Sequence, residues 1–212
     1  MFKSKAALAA IFTLTLAGCG SEGTITDSGV IVTRSACPAV AIPVATGDVT
    51  LFTREGARTA DAIDVVATMT NVRATCDESG DNIVTNVTFD VQAQRREAGP
   101  ARSVVLPYFV VAVHAGTNVV SKSVGRVGLN FADGQLRAST SGSAQGQVSR
   151  AAATLPDEIR QQITRRRKPG DPDAAIDPMA DANVREAVRR ASFEVLVGFQ
   201  LTPDQLAYNA TR

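Results

Sequence analysis

Tryptophan is absent from the 212-residue chain, which also has only two tyrosines and one histidine. The single histidine, His114, cannot supply a cluster of histidine metal ligands, and it would have to be the base of any serine or cysteine triad. No Gly-x-Ser-x-Gly nucleophile motif occurs. The formal net charge of +1 is too small for a typical nucleic-acid-binding protein. We therefore expect no enzyme activity, no cofactor and no nucleic-acid partner.

The first residues have the pattern of an export signal. Lys3 and Lys5 provide a short positive start, and the run from Ala6 to Ala17 is apolar and uncharged. That run is too short to cross a bilayer as a helix, which needs roughly 20 apolar residues. A positive start, a short apolar run and small residues at its end are typical of a cleaved signal peptide. We assign residues 1–18 to this signal.

The sequence Leu16-Ala17-Gly18-Cys19 follows directly. It resembles the lipobox of bacterial lipoproteins, and the resemblance is limited to residues 1–19. It implies that Cys19 becomes the first residue of the mature chain and that its thiol carries a diacylglyceryl group. Two or three acyl chains anchor a protein stably, whereas one does not. In Gram-negative lipoproteins a residue other than Asp after the cysteine implies release to the outer membrane, so Gly20 implies an outer-membrane anchor facing the periplasm.

Cleavage before Cys19 leaves 194 residues and a net charge of −1. A chain of this length suits one domain with a sizeable core. We interpret residues 19–35 as a lipidated tether, whose reach is on the order of 20 Å. Residues 36–212 are then a single domain held close to its membrane.

The chain has three cysteines, which is an odd number for an exported protein. Lipidation of Cys19 leaves Cys37 and Cys76 as a pair in an oxidising compartment, and we predict that they form a disulfide. A loop of this size stabilises the fold by roughly 3–4 kcal/mol in the chain-entropy model. There is no Cys-x-x-Cys motif, and we expect no metal site.

Most of the domain has the pattern of β-structure. Residues 83–93 alternate between apolar and polar positions, which is typical of a strand with one buried face. The turn-like composition of residues 77–82 separates this run from an earlier β-branched run, so the two runs predict a hairpin. Pro107 lies within the apolar run 103–114 and predicts an edge position or a bulge there. The predicted strands are 48–53, 62–76, 83–93, 103–114, 119–131 and 192–201, with residues 134–149 either strand or loop.

Residues 150–190 interrupt the β-pattern. Residues 155–167 have helix chemistry, with Pro156 at the first helical position and the basic residues 165–168 in the last turn. A second helix or a strand extension follows at 183–191, and the chain ends in a short turn or helix near 203–208. We therefore predict a mainly β fold, an antiparallel β-sandwich of Ig-like architecture, with a helical and loop insertion near 150–190 before the last strand. A closed barrel is the alternative.

Two types of charged cluster are candidate sites. The first is basic, and we predict that it contacts an anionic envelope surface unless it is only a solvated helix end. It consists of Arg160, Arg165, Arg166, Arg167 and Lys168. The second type is acidic and is interpreted as solvated turns, because neither group matches a calcium-binding loop. These acids are Asp77, Glu78 and Asp81 in one turn and Asp171, Asp173, Asp177 and Asp181 in one loop.

The favoured hypothesis is a non-enzymatic, membrane-anchored binding or scaffold module of the periplasm. Its partners are the membrane and either another envelope protein or an anionic envelope polymer. Two alternatives remain open: a carrier of a small apolar ligand and a carboxylate-dependent hydrolase. An enclosed apolar cavity favours the carrier. Converging carboxyls with raised pKa favour the hydrolase, and an exposed apolar patch or a free strand edge favours partner binding.

Overall fold

A computed structural model describes residues 23–26, 29–32, 35–54, 56–168 and 170–211. Strands account for 48% of the residues and helices for 21%, which confirms a mainly β fold. The predicted signal peptide, Cys19 and Gly20 lie outside the described residues. Among the helices that are described, none has the length and apolar character needed to cross a membrane.

The described strands and helices have the following bounds. The strands are β1 (Gly23–Thr26), β2 (Gly29–Val32), β3 (Ala39–Ala41), β4 (Asp48–Phe52), β5 (Ile63–Asp77), β6 (Asn82–Arg95), β7 (Arg102–His114), β8 (Asn118–Phe131), β9 (Arg137–Ser149) and β10 (Phe193–Phe199). The α-helices are α1 (Arg150–Ala153), α2 (Asp157–Thr164), α3 (Ala182–Arg190) and α4 (Pro203–Thr211). The segment 134–149, which was predicted as either strand or loop, is therefore mostly strand.

Two four-stranded sheets make up the body of the domain. Sheet I has the strand order β3-β10-β7-β8, and all its pairs are antiparallel except β3 with β10. Sheet II has the order β4-β5-β6-β9 and is antiparallel throughout. One of the sheets is curled. Ahead of them, β1 and β2 pair with each other within the segment predicted to be a tether.

The predicted hairpin is confirmed as β5 and β6. On β6 the side chains that face the core belong to every second residue from Ile83 to Ala93, and each of these residues is at most 5% exposed. Their side chains join residues of β4, β5, β7, β8 and β10 in one hydrophobic cluster or in the smaller cluster beside it. Because both sheets contribute to this core, alternate residues of each sheet point away from it.

The prediction for Pro107 is wrong, because β7 lies between β10 and β8 and its register shift falls at Ala112 and Val113 instead. Pairing with β10 ends at Tyr108 opposite Phe199, and the Gln200 amide donates to the Pro107 carbonyl. Residue 107 thus faces β10 where that strand has already ended. The missing N–H of proline interrupts no ladder hydrogen bond at this position.

The disulfide between Cys37 and Cys76 is confirmed, with the two Cα atoms 6.1 Å apart across 39 residues. It joins the segment that leads into β3 to the end of β5, and so connects the two sheets. Glu78 Oε1 lies 2.8 Å from Cys37 Sγ and accepts a hydrogen bond from Ser35. Both sulfurs are in the disulfide, so this grouping offers no thiolate to a metal.

The insertion between β9 and β10 contains α1, α2 and α3. Leu155 and Ile163 pack on Val184 and Ala187 of α3, and this forms a small core of its own. The helix at 155–167 is shorter than predicted, since it starts after Pro156 and ends at Thr164. Residues 165–168 therefore follow the helix rather than forming its last turn. Asp181 ends the preceding loop by accepting a hydrogen bond from the Asn183 amide, which caps α3.

The two sheets approach each other through aromatic rings that lie over glycines. Phe89 of β6 covers its cross-strand neighbour Gly142, and Tyr108 of β7 covers its neighbour Gly125. The two rings meet edge to face with centroids 5.0 Å apart. The Tyr108 hydroxyl also donates to the carbonyl of Ser143 on β9 at 2.6 Å. A Cβ atom at residue 142 or 125 would lie only 2.4 Å from the aromatic ring.

Substitution of Gly142 should destabilise the domain. We expect Gly142→Ala to lower the free energy of unfolding by about 1–3 kcal/mol, because Phe89 must leave its position above residue 142. Gly128→Ala is the matched control, since a Cβ at residue 128 meets no atom within 4 Å. That variant should stay within about 0.5 kcal/mol of the parent in urea unfolding. Equal stabilities for the two variants would contradict the proposed packing.

Candidate binding surfaces

Most residues of the predicted basic cluster form ion pairs within the insertion between β9 and β10 (residues 150–192), which we call the helical lobe. Arg165 and Arg167 both bind the carboxylate of Asp173, and the Arg167 side chain is only 5% exposed. Arg160 pairs with Asp157 at 2.5 Å. Within the described part of the chain, only Arg166 and Lys168 of this cluster have exposed side chains without an ion pair. Arg160 and Arg165 remain about half exposed despite these pairs, so Arg167 is the one buried residue of the predicted five.

Arg167 illustrates why the lobe folds in this way. Its Nε–H lies 3.3 Å from Asp173 Oδ2, and its Nη2 donates to the Gln162 carbonyl at the same distance. Its Nη1 is buried without a partner among the described residues. Because that nitrogen has no accessible surface, it cannot reach a ligand, and Arg167 is a structural residue.

The acidic residues also have local partners. Asp171 accepts a hydrogen bond from the Lys168 amide, and Asp177 accepts one from the Met179 amide. Hydrogen bonds from Arg165 and then Arg167 lower the pKa of the Asp173 carboxyl. Hydrogen bonds from Ser79 lower the pKa of Asp77 in the β5–β6 turn. These groups cap turns and hold arginines in place, which explains why so many acids occur in two short segments.

His114 has a structural environment at the end of β7. Its ring stacks on Phe193 with centroids 4.6 Å apart. Its Nε2 hydrogen-bonds to the carbonyl of Arg190, the last residue of α3. The histidine thus connects sheet I to the helical lobe.

A groove lies on the outer face of sheet II. It has a volume of about 980 Å³ and is open to solvent. Half-buried Ile63 and Val66 are among the apolar residues that line it. Hydroxyl and amide side chains of β5, β6 and β9 line its sides, and no carboxylate is among the lining residues. These polar side chains are Thr68, Thr70, Gln92, Gln94 and Ser139.

The groove has a positive end. Arg96 and Arg137 are exposed there, and Arg96 Nη1 donates to the Ala60 carbonyl at 2.6 Å. Hydroxyl and amide groups both donate and accept hydrogen bonds, whereas guanidinium groups only donate. The groove therefore suits an extended polar ligand that carries negative charge near this end.

Arg95 holds the positive end in place. It is 3% exposed, and its guanidinium lies 5.5 Å from the ring centroid of Phe131. Four main-chain carbonyls accept its hydrogen bonds, at distances of 2.6 to 3.2 Å. The acceptors are Gln135, Pro100, Gly99 and Ala132. Arg95 was not among the predicted site residues, although the alternation from Ile83 to Ala93 extends to residue 95 and places it on the buried face.

Two further depressions are also open to solvent. One of about 800 Å³ lies in the helical lobe, and one of about 440 Å³ lies near the ion pair of Arg102 with Asp64.

No protein-family model, curated protein or solved structure matches the chain.

The ion pairs of Asp173 should make stability depend on pH. Because the folded-state pKa is lowered, these pairs contribute stability above the ordinary carboxyl pKa of about 3.9, and the contribution is lost as the pH falls through the lowered value. We expect Asp173→Asn to be less stable than the parent at pH 7. The difference should shrink between about pH 5 and pH 2, measured by urea unfolding at each pH.

Asp204→Asn provides the control for this series. Asp204 pairs with Arg58 at 3.1 Å, and its side chain is 80% exposed. Exposed pairs contribute little, so this variant should follow the parent at every pH. A constant deficit of Asp173→Asn from pH 7 to pH 2 would show that the loss does not come from the carboxylate charge.

Proposed function

We propose that the protein is a membrane-anchored periplasmic lipoprotein that acts as a non-enzymatic binding or scaffold module of the cell envelope. The observation that carries this proposal is the sequence Leu16-Ala17-Gly18-Cys19, in a chain whose two other cysteines are joined to each other. The disulfide accounts for two of the three cysteines and leaves the third for acylation. Structural disulfides are typical of exported proteins. The residue after Cys19 is glycine, which favours the outer membrane as the anchor site.

The detailed architecture of the two sheets is also part of this proposal. We interpret the two sheets as a β-sandwich of Ig-like architecture, with the helical lobe inserted before β10. Supporting this interpretation, inward residues of both sheets, such as Val91 of sheet II and Leu129 of sheet I, belong to one hydrophobic cluster. Such a scaffold presents its outer faces and its loops to partners.

The groove on sheet II is the proposed partner site. Its hydroxyl and amide groups match the donors and acceptors of an extended chain, and Arg96 and Arg137 favour one that is anionic. An anionic envelope polymer or an acidic segment of an envelope protein meets both conditions. In the helical lobe, Arg166 and Lys168 are exposed cations of the predicted cluster without an ion pair, and they offer a smaller surface for the same kind of partner.

The observations favour binding over the two alternatives. A carrier of an apolar ligand needs an enclosed apolar cavity, whereas the groove is open to solvent and has both apolar and polar residues in its lining. A carboxylate-dependent hydrolase needs an acid whose pKa is raised. In the described residues, hydrogen bonds from neighbouring groups lower the pKa of every carboxyl with a resolved shift. These carboxyls are Asp61, Asp77, Asp90, Asp173 and Glu186.

The anchor can be tested by cell fractionation in a Gram-negative host. We expect the parent protein in the outer-membrane fraction and Cys19→Ala outside it, because that variant has no thiol to acylate. Gly20→Asp, which keeps the thiol, should instead remain in the inner membrane. If Cys19→Ala and the parent fractionate together, the proposed lipid anchor is wrong.

The groove can be tested by photo-crosslinking in intact envelopes. A photoreactive residue at Gln94, inside the groove, should yield a crosslinked envelope component. The same residue at Gln147, on the same face but outside the groove, should not. Reversing the charge of Arg96 and Arg137 together to Glu should abolish the Gln94 product.

Reversing Arg166 and Lys168 to Glu is the matched charge control, because these cations lie on the helical lobe. Loss of the Gln94 product in this control alone would assign binding to the lobe. Equal crosslinking at Gln94 and Gln147 would contradict a groove-specific partner.

A further inference from the structure

The outer face of sheet I is unlike that of sheet II. Its cross-strand pairs on β7 and β8 include Val105 with Gly128 and Phe109 with Val124. Val105 is 59% exposed and Val124 is 57% exposed. We call this surface, with the valines at the end of the hairpin, the valine face. It comprises Val105, Pro107, Phe109, Val119, Val120 and Val124.

The charge around the valine face is positive. Lys122 and Arg126 lie on the same face of the edge strand β8, opposite Val111 and Pro107. The Lys122 ammonium lies 5.5 Å from the ring centroid of Phe109. Residues 98–132, which include the whole hairpin, contain no aspartate or glutamate. Glu194 of β10 is on this face of the sheet, but it is paired with Val113 near the hairpin end.

The chain enters the domain at this sheet. Ala36 packs against a cluster that contains Ala112 of β7 and Phe193 of β10, together with Ile83 and Val148 of sheet II. β3, which follows, is the other edge strand of sheet I. Only residues 20–34 separate the proposed acylated cysteine from Ser35, and part of that segment forms the β1–β2 hairpin. Since β2 lies next to α2 of the insertion, an anchor at Cys19 would hold the end of the domain where β3 and the insertion lie within about 20 Å of the bilayer.

Self-association through β8 is disfavoured by the same charges. Antiparallel pairing of two β8 strands about Val124 would place Lys122 of one copy opposite Arg126 of the other. Like charges directly opposite each other destabilise a strand pair. An anionic surface has the complementary charge for both side chains.

We propose that the valine face is a membrane-contact surface and that it rests on an anionic bilayer, with Lys122 and Arg126 at the headgroups. This inference relies on the lipid anchor proposed above. Exposed apolar side chains next to lysine and arginine are the pattern of proteins that lie at a membrane interface. In this orientation the groove of sheet II points away from the bilayer, where a periplasmic partner can reach it.

Spin labels on the full-length lipidated protein test this orientation. Val124→Cys places a label on the valine face, and Ser139→Cys places one on β9, the edge strand of sheet II. We expect the Val124 label to lose accessibility to a water-soluble nickel chelate in vesicles of phosphatidylglycerol and phosphatidylcholine, by roughly an order of magnitude. The Ser139 label should remain accessible. Adding Lys122→Glu and Arg126→Glu should restore the accessibility of the Val124 label.

Different results would contradict the membrane contact and the lipid anchor. Equal accessibility of the two labels on anionic vesicles would overturn the membrane contact. Protection of the Val124 label in detergent, without vesicles, would also overturn it and would indicate a protein partner or a second copy. The protein without an engineered cysteine should take no label, because its cysteines are acylated or disulfide-bonded. Labelling of this parent at Cys19 would show that the lipid anchor itself is wrong.

Discussion

The contact between Phe89 and Tyr108 is the interaction on which the arrangement of the two sheets depends. Each ring lies over a glycine of the neighbouring edge strand, and the rings touch each other edge to face. The Tyr108 hydroxyl also satisfies a carbonyl of β9. Without the two glycines, the rings could not lie so close to the main chain, and the sheets would have to separate. This close approach explains why β9 has small residues at its inward positions, down to Gly146 beneath Val195.

The outward positions of sheet II give its outer face a polar character. These positions are mainly serine, threonine and glutamine. Sheet I has the opposite character, since valines and a phenylalanine alternate outward along its hairpin. The disulfide and the shared core hold these two unlike faces in one domain. We propose that one of these faces contacts the bilayer and that the other binds a partner.

Regular alternation made parts of this fold predictable. The β6 strand could be read from residues 83–93, and the Cys37–Cys76 pair followed from the odd number of cysteines. Other features depend on contacts between distant residues. Arg167 looks like a surface cation in sequence, but Asp173 and the Gln162 carbonyl hold it inside the lobe. Pro107 suggested an edge because a local pattern cannot show where β10 ends.

The lipid anchor can be checked by measuring the mass of the intact protein purified from membranes, because the anchor determines which face meets the bilayer. We expect a chain that begins at Cys19, carries a diacylglyceryl group on that thiol and contains one disulfide between Cys37 and Cys76. A chain that begins at another residue, or one that begins at Cys19 with an unmodified thiol, would contradict the lipid anchor.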